Sequence, residues 1–221
     1  MTRSVAWELV LSGQLVRSLR LAPFAIGVAT MAAFLAAGGG DTHDVIGDLR
    51  VLGLLLALGC GYVLDDGAAV TLQASPYSLA RRLWLRIACA AAVVGPVWTA
   101  LLAWFLPSAP AGDRWALVLG LTVELAAALT VIWAVAAWGR RHGFEHPGII
   151  TTPAFLASLL LATSIPQAPM LVGAGAEWTP AHLRWLGILI GATCVLVAEM
   201  RDPAARWPSP NHHPSRERQR A

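Results

Sequence analysis

"WALVLGLTVELAAALTVIWAVAAW", residues Trp115–Trp138, holds a single ionisable side chain, Glu124, and is framed by Arg114 on one side and Arg140 and Arg141 on the other. As a helix these 24 residues would be about 36 Å long at ~1.5 Å per residue. That is enough to cross the ~30 Å hydrocarbon layer of a bilayer. The apolar residues surround such a helix on all sides instead of forming one stripe, as expected of a buried or membrane-crossing helix. The stretch sets the fold class: an all-α integral membrane protein.

Outward from it, five further apolar runs can be placed at Leu21–Gly38, Val45–Leu64, Ile87–Leu106, Gly148–Ile165 and Leu183–Met200. The whole chain agrees, with 57% hydrophobic and 13% charged residues and a mean hydropathy of +0.61; soluble domains carry roughly 25% charge. Six transmembrane helices over residues 21–200 are therefore expected. The second run is cleanly apolar only from Val51, so Asp48 and Arg50 are expected at the interface, snorkelling. Pro96 and Pro153 can bend the third and fifth spans.

Arginine supplies all 16 basic residues. Thirteen fall on the N-terminal segment, the second and fourth connections and the C-terminal segment, against three on the first, third and fifth connections. The positive-inside rule then places both termini in the cytoplasm. Tryptophans agree, with Trp84 and Trp138 at inner ends and Trp104, Trp115 and Trp185 at outer ends. In residues 1–20, Trp7, Val10, Leu11, Leu15 and Leu19 recur at helical spacing, predicting an amphipathic helix along the inner surface that leads into an uncleaved first span. Residues 201–221 are basic and proline-punctuated, and read as a mobile cytoplasmic tail.

Several chemistries are excluded or disfavoured. Without lysine no Walker A loop can exist, so any ATP that drives this protein binds another chain. Cys60, Cys89 and Cys194 lie in separate apolar runs without metal-ligand spacing. "HGFEH", His142–His146, fits an inverted zinc-protease pattern, but Gly143 and Pro147 argue against the stable helix it needs. "LDDGAA" lacks the later aspartates of membrane phosphoalcohol transferases. No catalytic residue, metal or nucleic-acid partner is expected. Glu124 is the candidate intramembrane site: it faces a substrate path, carries a proton, or is a hydrogen-bonded structural glutamate.

Between the second and third runs lies Leu64–Ile87, "LDDGAAVTLQASPYSLARRLWLRI", charged yet helical in pattern. Asp65 and Asp66 come off the second run, Ser75-Pro76 interrupts a short helix, and Ser75 or Ser78 can cap a second one carrying Arg81, Arg82 and Arg86 into the third run. On local physics this is either a rigid docking element or a solvated loop whose arginines set topology.

The arrangement resembles the membrane subunits of ABC-2-type transporters. They share an N-terminal interfacial helix, six spans with both ends inside, and a helical segment after the second span reading leucines, a small residue, Pro-x-Ser, arginines and an apolar run. "TLQASPYSLARRLWLRIACA", from Thr71, is similar to that segment. The resemblance implies that this is a coupling helix seated on a separate ABC ATPase, which binds ATP and Mg, with Asp65 or Asp66 in the place of the family's acidic residue. It implies also that two membrane subunits pair, as a homo- or heterodimer in a bacterial plasma membrane, to export a drug-like, peptide or other amphipathic substrate. Gly187-x-x-x-Gly191 in the sixth run permits the close helix packing such a pair uses. A proton-coupled secondary transporter working through Glu124 and a non-transporting scaffold are the alternatives.

Overall fold

The computed structural model describes residues 21–36, 45–65, 79–109, 114–144, 146–165, 170–172, 175 and 177–201. Six α-helices run through them: α1 Leu21–Ala36, α2 Val45–Cys60, α3 Leu79–Phe105, α4 Arg114–Arg141, α5 Pro147–Thr163 and α6 Trp178–Met200. Short 3-10 turns, Gly61–Leu64 and Leu106–Ser108, extend α2 and α3. Among the described residues there is no strand.

Four of these segments are long and apolar enough to cross a membrane by length and composition: Val45–Leu64, Ala80–Ser108, Arg114–Arg141 and Trp178–Met200. The other two expected spans coincide with helices of 16 and 17 residues, α1 and α5. At ~1.5 Å per residue these reach only about 24–26 Å, short of a full hydrocarbon layer unless the flanking residues extend them. Pro96 and Pro153 lie inside α3 and α5 without ending either helix.

α4 is the hub. Its apolar residues are buried on several sides, from Leu117 near its start to Ala137 near its end, and α2, α5 and α6 all pack on it. α2 and α4 are parallel, since Arg50 meets Glu124 near their starts and Trp133 Nε1 donates to the Cys60 carbonyl near their ends (3.3 Å). α4 and α6 are parallel too: Gly120 lies against Trp178, and Arg141 reaches Glu199 at 3.3 Å. α1, α3 and α5 run the opposite way. Gly27 of α1 packs against Gly59 of α2, Arg86 of α3 reaches the end of α2, and Gly148 at the start of α5 sits beside Gly61. Successive helices thus alternate in direction, and the starts of α2, α4 and α6 gather at one end of the bundle.

The reversal between α4 and α5 is compact. Gly143 takes φ +88°, and Phe144 N–H donates to the Gly139 carbonyl (3.0 Å), with Gly143 N–H on Arg140 (3.2 Å). This paired closure satisfies carbonyls that a helix end leaves open, and glycine adopts the left-handed residue it needs without steric cost. The His142–His146 pattern consequently straddles a helix break, and no group of three metal-ligating side chains occurs among the described residues.

Candidate functional site

Two buried polar centres lie at opposite ends of the bundle. At the end where α2 stops and α3 and α5 begin, Asp65 is fully buried and Arg86 nearly so. Arg86 Nη1 donates to the Asp65 carbonyl at 2.8 Å, with the Val63 carbonyl at 3.5 Å. The Asp65 carboxylate accepts from Gly148 N–H at 2.8 Å. It therefore caps α5 from another helix, meeting the amide dipoles that favour negative charge at a helix start. Gly148 is required by contact: a Cβ there would come within 2.8 Å of the Gly61 carbonyl oxygen and 3.0 Å of Asp65 Oδ2.

This centre brings together two of the residues read from the charged segment, and separates their roles. Asp65 and Arg86 are structural ties between elements, whereas Arg81 on the opposite face of α3 is exposed and Arg82 is half-buried. Asp66, Thr71, Ser75, Pro76 and Ser78 lie outside the described residues, as do the interfacial helix expected in residues 1–20 and the tail beyond Arg201.

The second centre is built around Glu124, buried in α4. It lies ten residues after Arg114, roughly 15 Å along the helix. Arg50 of α2 pairs with it through two bonds, Nε to Oε2 at 2.7 Å and Nη2 to Oε1 at 2.5 Å. Arg50 Nη1 also donates to the Val172 carbonyl at 2.7 Å, beyond the end of α5. The expected snorkelling of Arg50 is corrected here. Its side chain is only 15% exposed and turns inward, because a bidentate carboxylate within reach offsets more of its charge than an interface would. Asp48 is buried as well.

α6 completes the centre. It starts at Trp178, five residues before the expected span, and so brings in His182. His182 Nε2 stands 3.0 Å from Glu124 Oε1, off the alignment of a full hydrogen bond, and Nδ1 bonds the Trp178 carbonyl at 2.7 Å. The Trp178 ring stacks on His182 (centroids 4.0 Å apart) and lies 5.7 Å below the Arg50 guanidinium, a cation–π arrangement. Gly120 leaves the space for both rings, since a Cβ there would lie 2.5 Å from Trp178 and 2.6 Å from His182.

Trp185 also departs from expectation. It is buried, and its indole N–H donates to the Met170 carbonyl at 2.9 Å, so it is a core residue and not an outer interface anchor. Trp104 and Trp115, by contrast, are 75% and 81% exposed, as an aromatic belt requires.

Beside this centre is a pocket of about 130 Å³ between α2, α3, α4, α5 and α6. Leu54, Trp98, Leu125, Phe155, Leu159 and Trp185 are among its apolar walls; Arg50 and Glu124 border it but turn almost no polar surface to it. The Gly187–Gly191 pair takes no part in either centre: neither glycine has a neighbour within 4 Å of where a Cβ would stand, and both are exposed on α6.

No protein-family model matches the chain, and no curated protein or solved structure matches it significantly. The arrangement can do two things chemically. The Asp65–Arg86 centre ties three elements together, and the Glu124 centre holds a neutralised charge pair next to an apolar space.

Proposed function

We propose that the chain is the membrane-spanning subunit of an ATP-driven exporter of the ABC-2 type. In this reading it crosses a bacterial plasma membrane six times with both termini inside, pairs with a second membrane subunit, and is driven by a separate ATPase chain that binds ATP and Mg. The sequence of the charged segment supplies the family; the observation that carries the mechanics is the Asp65–Arg86–Gly148 centre. The described residues that flank that segment belong to a buried knot joining α2, α3 and α5 through Asp65, Arg86 and Gly148. A push on that segment would reach three helices at once, as a coupling element needs. Arg81 is exposed at the same end.

The test is co-purification from native membranes. An ATPase is expected with the tagged wild-type chain, and at least a tenfold loss of it with Arg81→Glu/Arg82→Glu and with Pro76→Ala, while the chain itself elutes unchanged. If no ATPase accompanies the wild type under conditions that hold other transporters together, the reading fails.

The His182 geometry favours a second reading, proton-coupled transport. A carbonyl only accepts, so His182 Nδ1 carries the hydrogen on the Trp178 oxygen. Nε2 stands 3.0 Å from Glu124 Oε1, outside hydrogen-bond alignment, so two groups capable of carrying a proton lie side by side. Proton flux in vesicles without ATP, abolished by Glu124→Gln, would support this reading over the first.

A further inference from the structure

The pocket beside Glu124 has a size, a wall and a charge state that together select a ligand class. Its volume, about 130 Å³, is close to that of a ~150 Å³ apolar cavity, which stays dry and admits benzene. One six-membered ring fits. The walls match a ring's faces and edges: Trp98, Phe155 and Trp185 with the leucines between them.

Charge is excluded. Arg50 and Glu124 neutralise each other through two bonds, so an ionic ligand would add an uncompensated charge to a low-dielectric site. The pair turns its polar atoms to each other and to the Val172 carbonyl and shows almost no polar surface to the pocket, so the ligand is recognised by its apolar ring.

Val51 and Leu171, each 41% exposed, are walls that reach the surface. The residues on either side of Leu171 are fastened by the pocket's own walls, Met170 by Trp185 and Val172 by Arg50.

We infer that this pocket binds a small uncharged molecule built on one aromatic ring, held between Trp98 and Phe155. Binding stands independently of any ATPase; only its role as cargo rests on the transport reading.

The experiment uses the full chain in lipid nanodiscs with 4-fluorophenol as probe, followed by fluorine NMR. Partition into lipid rises linearly with concentration, so a saturable bound fraction is the signal. Wild type should show it. Ala128→Leu, which fills the pocket from its α4 wall, should weaken it at least tenfold, as should Leu159→Phe from the α5 wall. Gly187→Ala, on the open face of α6, should leave it unchanged. Should Ala128→Leu fail to fold, Leu159→Phe and the charged probe decide. Linear uptake equal to that of empty nanodiscs overturns the inference, as does saturable binding that survives both fillings in folded protein. Equal affinity for 4-fluorobenzoate overturns the neutral class, and saturable binding seen only in lipid-free detergent shows that an acyl chain fills the pocket instead. Loss of binding with an ATPase still co-purifying would sink this inference and leave the transporter reading intact.

Discussion

At the scale of single residues, the Arg50–Glu124 pair settles how a carboxylate is tolerated inside so apolar a helix. Glu124→Gln would strand a buried guanidinium, and breaking a buried pair from one side costs about 3–5 kcal/mol. A loss of that order is expected in denaturant unfolding of the detergent-solubilised protein, with Arg50→Leu/Glu124→Leu regaining most of it. Glu124→Gln as stable as wild type would show that the pair contributes nothing. Glu124 was legible in the sequence because one acid in a 24-residue apolar run is conspicuous. Its partners were not. Arg50 reads as the fringe of a weak span, and His182 falls among loop residues once the sixth span is started at Leu183. A signal did exist, since a buried acid needs a cation and Arg50 is an arginine inside an apolar run near the same end.

At the scale of helices, glycine positions separate internal packing from open surface. Gly148→Ala would drive a methyl group into the Gly61 carbonyl and the Asp65 carboxylate, and overpacking of this kind costs about 1–3 kcal/mol. Gly187→Ala and Gly191→Ala meet nothing within the chain, so their folded stability should stay within ~0.5 kcal/mol of wild type, as for substitutions away from packed features. If α6 is a subunit contact, the same two changes should nonetheless weaken self-association, measured by cross-linking in membranes. Helix positions were legible because long apolar runs dominate the local physics. Their starts were legible in part: α3 begins at Leu79, next to Ser78, one of the two cap candidates, whereas α6 begins at Trp178, five residues before the expected span, since packing against α4 stabilises a turn that composition alone leaves as loop. The interhelical capping of α5 by Asp65 has no local signature, because donor and acceptor are 83 residues apart.

At the scale of the molecule, alternating helix directions put Ser108, at the end of the turn that extends α3, and the α4–α5 turn at opposite ends. With Cys60, Cys89 and Cys194 replaced by serine or alanine, Ser108→Cys should react with an impermeant thiol reagent from outside intact cells, and His142→Cys only after the membrane is opened. The reverse pattern would invert the orientation argued from the arginines. The pairing of Arg50 with Glu124 also has a consequence for biogenesis. The two residues are separated by 74 positions, and at a synthesis rate of ~5–20 residues per second α4 follows α2 by roughly 4–15 s. During that interval α2 carries a cation near its start with its acid still unmade, at a cost below the ~2.5–3.5 kcal/mol of a charge at a bilayer's centre. A nascent chain stalled before Glu124 should therefore release α2 to alkaline extraction, and one stalled well beyond it should hold the helix fast.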